Sequence, residues 1–504
     1  MNNQRLGMLF DTSENSHYFY DSGTGKVVSC TLEEKEFINK ILTNELSVEK
    51  ACSSNPEFRN FISDENLFAC PEYRDFIIPP KEEFMEALKG NCEQIILELT
   101  ESCNLRCGYC IYNEHHPEFR GFSNRNMKFE VAKKSIDYIL DGYKKKRFAL
   151  TFYGGEPLTN FELMKKCIDY TKEQYPNIKL DLSFTTNLTL LTEEMIDYFN
   201  SLDNLDILCS IDGPKIIHNK YRRYVNGKGT FNDAIRGLKL LLDKFYEKDN
   251  KEKNIAINSV ITPPYSKKTL DKVNNFFYKE LNLPKDIKCN FSYLDRGEMV
   301  FNFDKNSMIS DDIGKKLKGS PIEEWAVNNL INAEKNPRHF SVISKDMLSI
   351  AKRMKSDDGL IELTYLHGNC VPGRRRLYVT VDGNFKTCER IGDCPSIGDY
   401  ENGYYFDKIY KVYYKDYIKH FREICKNCWA QPMCSICYQE TMGKNGIKPS
   451  IEDSVCKSSR NLIKDCFIMY YRLLGETNRE LLQETLDRYA KAQEEAEGFR
   501  KYEV

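Results

Sequence analysis

Between residues 93 and 300 the apolar positions fall in short runs separated by amphipathic stretches. QIILELT, RFALTFYGG, LDLSFTTN, LDILCSIDG and NIAINSVIT are brief and rich in β-branched and aromatic residues, so they read as strands. FEVAKKSIDYILDGY and FNDAIRGLKLLLDKFYEK carry apolar residues at helical spacing. Strands alternating with helices predict a parallel sheet with right-handed crossovers, whose functional residues gather at the C-terminal strand ends. Several polar residues fall there. Cys103 follows the first strand, Gly154, Gly155, Glu156 and Pro157 the second, and Asn187 and Asp212 the next two.

The flanks have other patterns. In SHYFYDSGTGKVVSC a Gly-containing turn separates two β-prone runs, which predicts a hairpin. Thr31 with Glu34 then reads as a capping box opening the helix LEEKEFINKILTN, followed by a second helix and a further β-prone piece. Residues 301–365 are polar and mixed, and are expected to form a helical bridge. The cysteine-rich segment that follows lacks long periodicity and is expected to be organised by metal. The tail ETNRELLQETLDRYAKAQEEAEGFRKYEV predicts a charged amphipathic helix packing one stripe on the body.

Composition narrows the class. The 504 residues, 41% hydrophobic, suffice for sizeable cores. The net charge of −2 argues against a broad phosphate-binding surface, so nucleic acid is not an expected partner. No basic-then-apolar start and no membrane-length apolar run is visible, which predicts a cytoplasmic protein without a membrane partner. Nineteen cysteines stand out. In a reducing compartment clustered cysteines bind metal more often than they form disulfides. Cys30, Cys52, Cys70, Cys92, Cys167, Cys209, Cys289 and Cys466 are scattered and read as core packing. The rest form two groups.

The first group is ESCNLRCGYC, with Cys103, Cys107 and Cys110 directly after a strand. Three thiolates suit an iron–sulfur cluster with one open iron, whereas zinc would need a fourth ligand, which His115 or His116 could supply. CNLRCGYC resembles the CX3CX2C motif of the radical S-adenosylmethionine (SAM) superfamily, and Gly154-Gly155-Glu156-Pro157 resembles its GGEP motif. The resemblance implies a [4Fe–4S] cluster whose open iron is chelated by SAM, with Glu156 and the glycine backbone meeting the SAM ammonium. It also implies Tyr109 near the adenine, and Ser210 and Arg222 at the carboxylate and ribose. Arg222 reads equally as half of a surface salt bridge, with Arg223 adjacent. Asn187 and Asp212 also fit ordinary strand-end turns.

The second group is Cys370, Gly383, Cys388, then Cys425, Cys428, Cys434, Cys437 and Cys456. It resembles the SPASM extension of peptide-modifying radical SAM enzymes, with two residues instead of three between Cys434 and Cys437. By that resemblance Cys425, Cys428, Cys434 and Cys456 hold one auxiliary [4Fe–4S] cluster, and Cys370, Cys388 and Cys437 another. Cys394 or a substrate thiolate would complete the second. Glu389 stands where related sulfatase-maturing enzymes carry a catalytic aspartate, and Arg374 to Arg376 read equally as contacts for an acidic leader or as a solvated strand start. Three [4Fe–4S] clusters and SAM are therefore the expected cofactors.

The resemblance implies an α/β architecture: a partial (β/α)6 TIM-type barrel, an N-terminal winged-helix-like peptide-binding domain and a C-terminal cysteine-rich domain. The expected divisions are 1–85, 86–300, 301–365, 366–470 and 471–504. The implied partners are a ribosomally made precursor peptide with a leader, and an external electron donor of flavodoxin or ferredoxin type. The implied reaction is a crosslink, foremost a cysteine thioether. The rivals are formylglycine formation by a sulfatase-maturating type enzyme, carbon–carbon or carbon–oxygen crosslinking, and a non-catalytic metal scaffold.

Overall fold

The computed structural model describes residues 5–68, 75–247, 250, 252–262, 267–284, 286–294, 349–353, 355, 363–364, 366, 370–448, 451–476, 484 and 487. The expected bridge at 301–365 and the tail helix lie largely outside them.

The N-terminal unit is a three-stranded antiparallel sheet, β1 (Gly7–Ser13), β2 (Ser16–Asp21) and β3 (Val27–Cys30). The hairpin read from sequence is β2–β3; β1 adds a third strand that the sequence reading omitted. Three helices follow, α1 (Leu32–Leu42), α2 (Val48–Ser54) and α3 (Pro56–Glu65), one more than expected. The capping box forms: Thr31 Oγ1 accepts from the Glu34 N–H at 3.2 Å, and Glu34 Oε2 accepts from the Thr31 N–H at 2.7 Å. Phe19, Ile38, Ile41, Phe58 and Ile62 fill the core of the unit.

The central body is one ten-stranded mixed sheet. Its parallel strands are β4 (Gln94–Thr100), β5 (Arg147–Gly154), β6 (Lys179–Thr186), β7 (Leu205–Ser210), β8 (Lys253–Ile261) and β9 (Lys288–Tyr293). The helices between them are α4 (Phe129–Leu140), α5 (Phe161–Gln174), α6 (Glu193–Asn200), α7 (Lys215–Tyr221), α8 (Phe231–Lys244) and α9 (Lys267–Asn275). Five of the six strands are those read from the sequence. The short β9, KCNFSY, was not among them. Along β5 and β6 every second residue is fully buried, such as Phe148, Leu150 and Phe152, because one face meets the helices.

Beyond β4 the order continues β10 (Arg376–Val379), β11 (Asn384–Lys386), β12 (Gly398–Asp399) and β13 (Gly403–Tyr404). Strand β10 runs parallel to β4, with Tyr378 opposite Ile96. β4 thus has neighbours on both sides, and all its residues after Gln94 are buried. The cysteine-rich segment is therefore built onto the same sheet and has regular structure of its own. That structure includes α10 (Tyr417–Lys426) and the twenty-residue α11 (Lys457–Glu476), which runs through the expected division at 470–471.

Helix α11 packs on β1 and β2. Phe10 and Tyr20 meet Phe467 at ring-centroid distances of 5.6 and 4.8 Å, Phe10 meets Tyr471 at 5.6 Å, and Tyr20 meets Trp429 at 6.2 Å. Arg353 ties the seam by donating from Nε to the Gly25 carbonyl at 2.7 Å and from Nη2 to the Tyr471 hydroxyl at 2.9 Å. Among the described residues no helix is long and apolar enough to cross a membrane.

Candidate functional site

The loop after β4 carries Cys103, Cys107 and Cys110, and strand β5 ends beside it. A side chain at Gly154 or Gly155 would collide with that loop: a Cβ on Gly155 would lie 2.2 Å from the Ser102 carbonyl oxygen and 3.0 Å from the Cys103 Cβ. Gly154 also takes φ +152°, which L side chains rarely adopt. Close approach of the two loops therefore requires both glycines. Backbone bonds lock it, since Gly155 N–H donates to Thr100 O and Glu156 N–H to Ser102 O, both at 2.9 Å.

The three thiols lie within electrostatic reach of one another, and burial pushes Cys103 and Cys107 up to about 12. Such thiols stay protonated on their own and lose the proton when a cation coordinates them. Among the described residues no group of three or more His, Cys, Asp or Glu is tight enough for a single metal ion. A cubane cluster spreads its ligands wider than one ion does, so three loop thiols without a closing fourth ligand fit a cluster better than zinc. His115 and His116 line one cavity with Cys107, and Glu118 approaches His116 Nδ1 at 3.8 Å. His116 is buried and its ring nitrogens have no hydrogen-bond partner.

Glu156 is buried at the end of β5. Its carboxylate accepts from Leu158 N–H at 3.2 Å, Thr186 Oγ1–H at 2.8 Å and Asn187 N–H at 2.8 Å. Pro157 begins the short turn Pro157–Asn160 that these bonds cap. Burial outweighs the three donors and raises the carboxyl to about 7 from an ordinary 4.5. The folded chain then holds this proton up to about pH 7, whereas the unfolded chain releases it near 4.5. The stabilisation from this group is complete below about 4.5 and is lost as pH rises to about 7. Urea midpoints at pH 5 and pH 8 are expected to differ more in the wild type than in Glu156→Gln, and equal differences would contradict the burial argument.

Asp212 is the hub of the opposite side. Its Oδ2 accepts from the Tyr109 hydroxyl at 2.5 Å, both oxygens lie 3.2 Å from Arg222 Nε, and Oδ1 accepts from Val260 N–H at 3.2 Å. The Arg222 guanidinium sits 5.6 Å from the Tyr109 ring centroid and within electrostatic reach of Cys107. Arg222 is thus a buried ion-pair member facing the cysteine loop, while Arg223 is exposed and donates to the Asn219 and Gly227 carbonyls. Ser210 is buried at the end of β7. His218 braces the turn, with Nδ1 accepting from the Asp212 N–H at 3.4 Å and Nε2 bonded to Thr230 Oγ1 at 3.1 Å.

Asn187 makes the strand-end turn, its Oδ1 accepting from Thr189 N–H at 3.1 Å, and it also ties the cysteine loop through Asn104 Oδ1 at 2.9 Å. Sequence reasoning missed Asn104. It also missed Glu98 and Glu101, whose signal was two carboxylates within and just after an apolar strand. Both are buried: Arg120 Nε donates to Glu98, and Arg125 clasps Glu101 through Nη2 and Nε at 2.5 and 3.0 Å.

In the C-terminal segment Cys425, Cys428, Cys434 and Cys456 all line one cavity of about 40 Å³, walled otherwise mostly by apolar groups such as Tyr417, Phe421 and Ile436. Cys425 lies within electrostatic reach of the other three, and burial pushes its thiol well up. Four convergent thiols around one hollow fit a fully ligated cluster. Cys370, which is exposed, lies within reach of Cys388 and Cys437, and Cys394 within reach of Cys388. Gly383, in the left-handed region at φ +83°, makes the β10–β11 turn. Glu389 is held by Arg376, whose Nη1 donates to its two oxygens at 3.2 and 3.1 Å. Arg376 is the first residue of β10, as the strand-start reading expects, and it also bonds Gln94 through Nε at 3.2 Å. Arg374 and Arg375 are exposed.

Residues 97–277 match the Radical SAM superfamily profile. Over 140 residues the chain is 30% identical to a serine-type anaerobic sulfatase-maturating enzyme of Bacteroides thetaiotaomicron, covering 28% of this chain and 34% of that protein. Over 193 residues it is 30% identical to the radical SAM cyclopropyl synthase TigE of Paramaledivibacter caminithermalis, covering 36% and 37%. The aligned stretches span a third to a half of the curated relatives. In fold it is similar to native anSMEcpe with bound AdoMet and Kp18Cys peptide, with a TM-score of 0.51, 20% identity, and coverage of 76% of this chain and 98% of that one. The chain carries a radical SAM domain, and it is an enzyme. Members of that superfamily use a [4Fe–4S] cluster and SAM.

Proposed function

We propose that this enzyme modifies a peptide by hydrogen abstraction and installs a crosslink, foremost a thioether from cysteine sulfur. Cys103, Cys107 and Cys110 would hold the SAM-binding cluster, and Glu156, Ser210, Arg222 and Tyr109 would border SAM. A bound cluster and SAM supply the 5′-deoxyadenosyl radical needed to attack an unactivated carbon. The observation that carries the reading is the joining of β10 to β4, which sets Cys388 and Glu389 on the same sheet as the first cysteine loop. Glu389 would accept the proton released as the substrate is oxidised, and Arg376 orients it. Two further [4Fe–4S] clusters would occupy the Cys425 hollow and the Cys370, Cys388 and Cys437 group. In the second group the exposed Cys370 leaves room for Cys394 or a substrate thiolate as fourth ligand.

The N-terminal unit supports a peptide substrate. Among the described residues β3 pairs only with β2, so its outer edge can take a leader as an added strand. Formylglycine formation is the second reading, favoured by the sulfatase-maturating relatives. The extra N-terminal unit argues for the crosslink. Anaerobic reconstitution, followed by mass measurement of a candidate cysteine-containing peptide with and without thiol alkylation, separates them. A thioether crosslink removes two hydrogens and consumes a thiol, whereas formylglycine formation from cysteine loses sulfur, and from serine removes two hydrogens but leaves an aldehyde and every thiol free to alkylation. Reconstituted protein that leaves SAM intact under strong reductant would end both readings.

A further inference from the structure

Arg120 lies in the loop between the first cysteine group and α4, and its guanidinium is only partly satisfied. Nε pairs with Glu98, and Nη1 donates to the Gly121 carbonyl at 3.1 Å and, more weakly, to that of Glu101 at 3.5 Å. The guanidinium carbon rests 3.7 Å from the Tyr112 ring centroid. Nη2 is buried and has no hydrogen-bond partner, while the Tyr112 hydroxyl, on a residue only 5% exposed, lies beside the Tyr378 side chain. Withdrawing such groups from water without an acceptor is costly, so the arrangement is completed by a ligand that brings an acceptor oxygen.

Both residues line a cavity of about 300 Å³ that also touches Cys388 and Glu389. Tyr112, Pro117 and Phe119 line both this cavity and a neighbouring one that touches Cys107, and buried Tyr153, the residue before Gly154, lies within electrostatic reach of both Cys110 and Glu389. Six carboxylates and three cations wall it, and Glu98, Glu101 and Glu389 are already paired. A further carboxylate would enter an acidic surrounding, whereas a neutral carbonyl adds no charge. Peptide carbonyls are neutral, strong acceptors.

We propose that Arg120 Nη2, assisted by the Tyr112 hydroxyl, binds a backbone carbonyl of the substrate in this cavity, which makes Arg120 a substrate-positioning residue. The proposal rests on the peptide-modifying reading. It adds the group that fixes the chain between the first cysteine loop and Glu389.

Three probes test it in anaerobically reconstituted protein with SAM, by calorimetry at millimolar concentration. They are acetyl-Gly-Cys-Gly-amide, the same compound with the Cys–Gly amide replaced by a neutral (E)-alkene that lacks the carbonyl, and acetyl-Gly-Cys as the free acid. The wild type is expected to bind the first on the order of tenfold tighter than the second, as suits a charge-assisted hydrogen bond. Arg120→Lys keeps a cation for Glu98 but lacks the second nitrogen, and its discrimination is expected to fall below about twofold. Unchanged discrimination in Arg120→Lys, or none in the wild type, overturns the assignment, and tighter binding of the free acid replaces the neutral carbonyl with a carboxylate. Should Arg120→Lys misfold, Arg120→Gln takes its place, and unchanged discrimination in that variant likewise overturns the assignment. Absence of binding by any probe to the wild type counts against this cavity as a peptide site. A peptide product formed by that same preparation would leave the peptide-modifying reading standing.

Discussion

Cys107→Ala is expected to remove about four irons per chain and to lower SAM cleavage more than about a hundredfold. Cys107 is the middle thiol of the loop, within reach of Cys103, Cys110 and Arg222, and two remaining thiols cannot hold a cubane in place. The informative control is Cys425→Ala. Its thiol lines the hollow in the C-terminal segment, so it should also lose about four irons while SAM cleavage without peptide persists. Iron and sulfide analysis, with chromatography of 5′-deoxyadenosine, reads both variants. Full iron and unimpaired cleavage in Cys107→Ala would reduce the loop cysteines to core packing.

The second large effect is on folding. Asp212→Ala is expected to cost about 3–5 kcal/mol, because it strands the buried Arg222 guanidinium and frees Tyr109. Asp212→Asn keeps an acceptor for Tyr109 and loses the charge, so it should fall between the wild type and the alanine variant. Denaturant unfolding followed by far-ultraviolet circular dichroism measures both. An alanine variant as stable as the wild type would mean that Arg222 finds water or another partner.

Five of the parallel strands, β4 to β8, were legible because each is a short apolar run, and their order follows the chain. Strand β10 was not legible as a neighbour of β4. Nothing in RLYV announces a partner some 280 positions earlier, and the pairing is settled by tertiary packing. The cysteine groups could be read by spacing alone, yet spacing does not say which carboxylate stabilises which cation. Thus Arg222 was weighed as a SAM contact or half of a surface salt bridge, and the structure gives it the buried Asp212 as partner. Arg376 was weighed as a leader contact or a strand start, and the structure opens β10 with it and pairs it with Glu389. Arg120 carried no sequence signal, because its meaning lies in one nitrogen left over after its neighbours are served.

The aromatic seam between the N-terminal sheet and helix α11 has a practical bearing. Phe10, Tyr18 and Tyr20 cover Phe467, Tyr471 and Trp429, and Trp429 directly follows Cys428. Trimming the first seventy residues to ask whether a leader is needed would strip the lid from one wall of the C-terminal cysteine hollow. Lost turnover in such a truncation would then report a damaged metal pocket as readily as a missing leader, so point changes along the outer edge of Val27–Cys30 are the cleaner probe of leader dependence.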